Sequence, residues 1–459
     1  MNARSGWMFA AVLFAGCVST GTLAPRVPAG IGVATRLAVE PSLAVSSDEA
    51  GSALVAYTRA DSSGPASVLV QKYSPSGEPA WGASGVAVST AAQEPGRLVL
   101  ERGSGGWFAA WRERRGDGRI WKAQRLSDDG RVLWPAPLTL GALWSGSSGM
   151  DYTATADGSL LLVWNDVDAS SRTVYIALAK ATPDGDVAWT RAIGKGAVDS
   201  EYQRPKLDWD EAGGAFLSYR QVDQGDRGLM LQHFSSAGEP LWDKGRNLYD
   251  GGGYKSPALL FGDTHGGVVV AWEDGRSGDI DVYSQRVGPA GAVLWAPEGV
   301  PIARGEGNQW SPTMVPDGSG GVYVVWIDNR GARWELRGQR LGGDGASVYP
   351  RGGVRLGVSS ENQGFPLLAR DGGHGALACW YESRLSDYGV YCQRLTSSGG
   401  LAWGPEGTPL AVSGEQKTGL RMTADGRGGA VVAWKCQASG LWEVRAQKLE
   451  PAGGAGWQQ

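Results

Sequence analysis

An aromatic residue returns at a nearly fixed interval along this chain of 459 residues, at Tyr57, Trp111, Trp164, Tyr219, Trp272, Trp326, Trp380 and Trp434. Each closes an apolar phrase such as "GGVVVAW". A second series keeps the same step: Trp81, Trp134, Trp189, Trp242, Trp295, Tyr349, Trp403 and Trp457. Four residues before every member of the second series stands a glycine, from Gly77 to Gly453, and ten residues before stands Gln, with Ala179 the one exception. The residue after that position is always Lys, Arg or His. Eight copies of one unit of about 54 residues leave room only for architectures that stack or ring a repeated motif.

Within a unit, "SPTMV" leads through the turn "PDGSGG" to "VYVVW". A polar loop then leads to a strand ending in Gln-Arg, and a Gly turn leads to a fourth strand with its Trp. Four short strands per unit, bounded by turn residues, predict an all-β fold made of four-stranded blades. A solenoid would need atypical capping units at its ends. This chain does the opposite. The last unit stops two residues after Trp457, and its missing part stands at the beginning, where Pro28 and Gly30 align with Pro405 and Gly407. The expectation is an eight-bladed β-propeller whose N-terminal segment completes the last blade and removes the open sheet edges. The Gly should supply a positive φ at the turn and the Trp should pack between blades. Burying such a ring is worth about 4–6 kcal/mol of gross transfer energy at about 25 cal/mol per Å2.

Composition narrows function more than it names it. The net charge of −4 argues against nucleic acid as a partner, and three histidines leave little for a metal cluster. One Asp per "DGSGG" turn supplies too few ligands for calcium. No nucleophile with a base, phosphate-cradling loop or metal spacing is visible, so neither a catalytic residue nor a cofactor is assigned.

The N-terminus carries an address. Residues 1–16 have a short polar start and an apolar stretch too short to span a bilayer, ending in "LFAGC". This resembles a bacterial lipoprotein signal, which implies lipidation of Cys17, a tether over 17–27 and a propeller over 28–459. The protein is then expected to be exported and lipid-anchored in the bacterial envelope, at the outer membrane, as a monomer.

"GPAGAVLW" and "SDDGRVLW" resemble the closing half of the tryptophan-docking repeat of quinoprotein-type propellers, which also have eight blades. Outer-membrane lipoproteins that assist β-barrel assembly share that repeat. The family's Ala and Asp before the Trp are here Gln285 and Val287, and its cysteine pair and calcium-binding acids have no counterpart. The resemblance therefore implies the ring and not a quinone cofactor.

Function is sought where the copies differ. Acid and Arg alternate after the motif aromatic in Trp111/Glu113/Arg115, Asp274/Arg276, Asp328/Arg330 and Glu382/Arg384. A further aromatic follows in three consecutive blades, at Trp334, Tyr388 and Trp442. Trp144 and Trp310 lie in blade-joining loops on the same rim. Acids, arginines and flat rings together suit a polysaccharide-binding rim, whereas an Arg–Asp ladder of purely structural meaning has the same spacing. Cys379 and Cys392 lie on neighbouring strands and read either as small buried fillers or as a cross-strand disulfide; Cys436 has no obvious partner. The leading expectation is a non-enzymatic, membrane-tethered propeller that binds a protein or glycan. The alternatives are a glycan-active hydrolase or lyase using rim carboxylates, and an assembly factor for outer-membrane proteins.

Overall fold

The computed structural model describes residues 30–457 except 49, 61–64, 117, 144–149, 169–172, 198–203, 224–225, 250, 252, 257, 385–386 and 413–414. The lipoprotein-type signal, Cys17, the tether and Trp144 lie outside the described residues.

Eight four-stranded antiparallel sheets follow one another along the chain. Seven are built from consecutive strands, as in blade 2: Gly96–Gly103, Gly106–Arg115, Gly118–Leu126 and Leu138–Leu143. Blade 8 takes three strands from the C-terminal end, Lys417–Ala424, Ala430–Ala438 and Leu441–Leu449, and its fourth from the start, Ile31–Leu37. Ile31 faces Ala446 and Leu37 faces Trp442 across that closing pair. The first strands of successive blades touch all round, blade 8 against blade 1 included, so they form the inner wall of a closed ring. The molecule is an eight-bladed β-propeller.

The second strand of each blade explains its unbroken apolar sequence. Val268–Asp274 and Val322–Asp328 are buried along almost their whole length because another blade covers each face. The core is accordingly not one mass but eight layers, one between each pair of neighbouring blades; Phe108 and Trp134 pack with Leu160 and Trp164 in the layer between blades 2 and 3.

The repeated Gly and Trp meet across these layers. A Cβ on Gly130 would stand 2.8 Å from the ring of Trp81, one on Gly238 2.8 Å from Trp189, and one on Gly345 2.9 Å from Trp295. Each ring lies on the glycine of the following blade, and its Nε1 donates to a carbonyl there, as Trp295 does to Gly343 at 3.0 Å. Trp457 closes the circle by donating to Pro75. These glycines also carry the positive φ expected of the turn, +86° at Gly130. One detail differs from the sequence expectation. The Trp belongs to the connection before the fourth strand rather than to the strand itself, except for Trp189. In the connection the ring is free to reach over the next blade.

The Gln-Arg pair is a clasp. Gln285 accepts the N–H groups of Arg286 and Trp295 and donates to Ala296, binding the third strand to the connection that follows it. Arg286 donates to Asp263 at 2.7 Å and to Gly343 of the next blade. Asp263 sits in the turn between the first two strands, where its other oxygen accepts two backbone N–H groups. Asp317 and Asp371 repeat this role with Arg340 and Arg394. The Asp of the "DGSGG" turn is thus bonded within its blade, as turn chemistry requires.

Cys379 and Cys392 face each other across one hairpin, with Cα atoms 4.1 Å apart and the sulfurs bonded. Cys436 is buried and unpaired, and burial pushes its thiol up to about 11.

Candidate functional site at the mouth of the channel

The acids of the Trp-x-acid-x-Arg pattern turn inward. Trp272 donates Nε1–H to Asp274 at 2.9 Å, Trp326 to Asp328 at 3.2 Å and Trp380 to Glu382 at 2.8 Å. Asp274 and Asp328 have no exposed surface. Arg276 pairs with Asp274 at 2.6 Å and lies between the rings of Tyr249 and Tyr283, 3.6 and 4.2 Å from their centres. Arg330 grips Asp328 with two nitrogens, at 2.8 and 2.6 Å. Burial opposes charge on these two carboxyls, but the arginine and indole hydrogen bonds outweigh it and hold both below the ordinary carboxylate range. Glu382 also accepts from Gln363 at 3.0 Å. Period-two alternation put acid and Arg on one face of the strand. What it does not reveal is that the acid is spent on the indole two residues earlier.

Of the rim aromatics, the structure brings Trp310 and Trp334 together, edge to face at 5.6 Å, with Trp334 40% exposed. Beside Trp334 a cavity of about 290 Å3 is lined by Arg333, Glu335, Arg355 and Glu361. Trp442 lies apart in blade 8, under the ammonium of Lys435 and against the closing strand. Arg384 and Tyr388 flank one hairpin end by their backbone pairing; their side chains lie outside the described residues.

A second group, not singled out by any sequence motif, lines the inner wall. In blades 2, 6, 7 and 8 the first strand carries a register shift, between Gly96 and Val99, Trp310 and Thr313, Gly364 and Leu367, and Thr418 and Arg421. The displaced residue has a left-handed backbone each time: Arg97 at φ 47°, Ser311 at 51°, Phe365 at 54° and Gly419 at 62°. Only the last is a residue for which that conformation is cheap. Phe365 is 77% exposed and meets Tyr381 edge to face at 6.1 Å. Such bulges locally re-aim the strand's side chains.

Three arginines stand at the first strands of other blades. Arg204 leads into the first strand of blade 4, Arg97 stands in blade 2 and Arg421 in blade 8. Desolvation first, and then the like charges of Arg204 and Arg421, pull the ionisation of Arg97 down, with Asp151 opposing them. All three arginines are exposed. Arg204 also acts on Glu273 and Tyr254 of blade 5, and Arg421 on Tyr381 of blade 7. Glu273 accepts the Ser311 N–H at 2.7 Å and the Tyr254 hydroxyl at 3.1 Å, which links this ring to Trp310.

Deeper on the wall sit three acids. Asp151 accepts the Leu207 N–H at 3.0 Å and Asp208 the Gly262 N–H at 2.8 Å, each reaching the first strand of the next blade. Glu101 accepts from Ala154 in the same manner. Burial, followed by the charges of Asp208 and Asp151, pushes the Glu101 carboxyl up to about 8; burial likewise lifts Asp208 to about 6.

No protein-family model matches the chain, and no curated protein matches it. Solved structures resemble it at low identity. A puromycin-hydrolyzing peptidase of Mycobacterium tuberculosis is 14% identical over 91% of this chain and 63% of its own, with a TM-score of 0.46. The β-propeller domain of the Trilobed protease from Pyrococcus furiosus is 10% identical over 78% and 93%, with a TM-score of 0.44. An α-L-arabinanase of Penicillium chrysogenum is 11% identical over 65% and 92%, with a TM-score of 0.37. These are likenesses of fold.

Proposed function

We propose that this chain is a non-enzymatic propeller, tethered to the cell envelope through Cys17, that binds a glycan or protein partner on the face bearing Trp310 and Trp334. The observation that carries the reading is the aromatic pair on that face, exposed Trp334 against half-buried Trp310, with Phe365 exposed on the first strand of the next blade. Large apolar rings left in water on one face mark interaction surfaces. The acids of the repeated pattern support a binding role over a hydrolytic one, because their oxygens are engaged by the indole two residues earlier and, at Asp274 and Asp328, by guanidinium, or at Glu382 by Gln363.

A glycan array and an envelope pull-down, run with the wild type and a Trp310→Ala/Trp334→Ala variant, test the reading. Loss of the bound species in the variant supports it; identical profiles overturn it.

A further inference from the structure

We infer that the propeller rests on a lipid surface with the face formed by the turns between its third and fourth strands, and so holds the face bearing Trp310 and Trp334 away from the membrane. The inference rests on the tethered binding role proposed above and adds the orientation in which that role is exercised. Its first support is an arc of apolar side chains. Leu133, Val187, Leu241, Leu294 and Val348 stand one or two places before the docking aromatic in blades 2 to 6. They are 41–54% exposed. Single exposed apolar residues are ordinary, but the same place left uncovered in consecutive blades makes a surface. The fold does not demand these side chains. The residue before the aromatic is Ala80 in blade 1, Ala402 in blade 7 and Gly456 in blade 8, and its N–H bonds the third strand just as that of Leu294 does.

The second support is direct contact between the turns. Trp134 donates to Pro183 in the next turn at 2.8 Å, Trp189 to Ser236 at 3.0 Å, Trp242 to Pro289 at 2.8 Å and Trp295 to Gly343 at 3.0 Å. The turns of blades 2 to 6 are thereby bonded head to tail into one continuous rim, and the apolar residues lie along it.

The third support is the place where the chain enters the propeller. Strand Ile31–Leu37 begins at the turn end of blade 8, where Ile31 faces Ala446, and finishes at the other end, where Leu37 faces Trp442. Trp310 and Trp334 stand at that other end of blade 6. Cys17 therefore joins the propeller at the face that carries the arc, through residues 18–29, a link that reaches at most about 40 Å. Blade 4, the middle of the arc, stands across the ring from blade 8. The anchor and the apolar rim thus support the disc at opposite edges of one face. A lipid surface is the occupant that the link delivers there, at an effective concentration that lets modest apolar contacts hold. Charged pairs beside the arc, Arg131 with Asp129 and Arg191 with Glu239, cancel locally, so the contact is apolar rather than electrostatic.

The full chain, purified from bacterial membranes and returned to vesicles of phosphatidylethanolamine with a minor share of phosphatidylglycerol, tests the proposal. A nitroxide is placed on Leu294→Cys or, at the opposite face, on Gly331→Cys; Cys436 has no exposed surface and does not compete for the label. The label at 294 should lose its collisions with an aqueous nickel chelate and gain them with oxygen, which dissolves in the bilayer. The label at 331 should stay in water. Raised salt should leave the shift at 294 in place. Leu133→Ser/Leu241→Ser, surface changes that keep the melting temperature, should return the label at 294 to water. Shielding retained in that variant would mean that the anchor alone holds the face down, and overturns the proposal. A label at 294 that stays in water, on a chain whose Cys17 carries lipid by mass spectrometry, overturns it while leaving the tethered binding role intact. Shielding without the gain in oxygen collisions, together with dipolar broadening between copies, would place a second copy on the arc and overturns it as well. A Cys17 without lipid removes the tether and this proposal with it.

Discussion

At the level of single residues, the repeat is a contract between a glycine and a ring. Gly130 is needed twice over, for its φ of +86° and because the Trp81 ring occupies the place of its Cβ. Gly278 has a φ of +104° but open space around it. The two requirements can therefore be separated. Gly130→Ala should cost about 2–4 kcal/mol, the sum of backbone strain and a displaced ring, whereas Gly278→Ala should cost about 1 kcal/mol from strain alone. Urea unfolding of the two variants measures the difference. Equal losses would show that the ring yields freely and does not hold the blades. The sequence made this pair legible because it is repeated eight times. By contrast, the role of Asp274 was hidden. Its spacing to Arg276 is the same whether the pair faces a ligand or seals an indole, and only the position of Trp272 decides.

Among the strands, the first of each blade carries what the sequence did not announce. Their motifs do not repeat, because an inner-wall residue contacts the channel and not a repeated neighbour. Arg97, Arg421 and Phe365 are single exceptions without a template to expose them. Glu101 shows how the wall is held. Its carboxyl bonds an edge N–H of the next blade from a site that favours the neutral form. A group raised from 4.5 to about 8 in the folded state contributes stability that is complete below its unfolded value and is lost as pH rises through about 8. The wild type should therefore weaken between about pH 5 and pH 8, and Glu101→Gln should flatten that slope. Unfolding free energies at three pH values across this window are the measurement. An unchanged slope in the variant would assign the effect elsewhere, with Asp208 contributing below about 6.

For the whole molecule, eight equal layers replace a single core, so stability depends on the circle being complete. The register of blades along the chain was legible because Gly30 aligns with Gly407. Both glycines face an indole in the structure, Gly407 against Trp380 and Gly30 against Trp434. Removing residues 1–37 should strip blade 8 of its fourth strand, expose Trp442 and uncover a strand edge. The truncated chain should melt well below the full chain and self-associate, as calorimetry and light scattering would show. A truncated chain that stayed monomeric with an unchanged melting temperature would mean that the closing strand adds no stability. The residues that break the repeat were less legible: Trp334 stood out in a loop, whereas Arg97 and Phe365 stand at bulges that no periodicity foretells.

The closing strand has a consequence in time as well as in space. Ile31–Leu37 is made first, yet its partner Leu441–Leu449 is made last. At about 5–20 residues per second, the strand waits on the order of 20–80 s for its mate. Blades 1 to 7 can assemble in order behind it, but the circle locks only when the ends of the chain find each other. For that interval the nascent protein is an open arc with a loose strand at one end. Whatever escorts it during synthesis must keep that strand from pairing with a neighbouring chain.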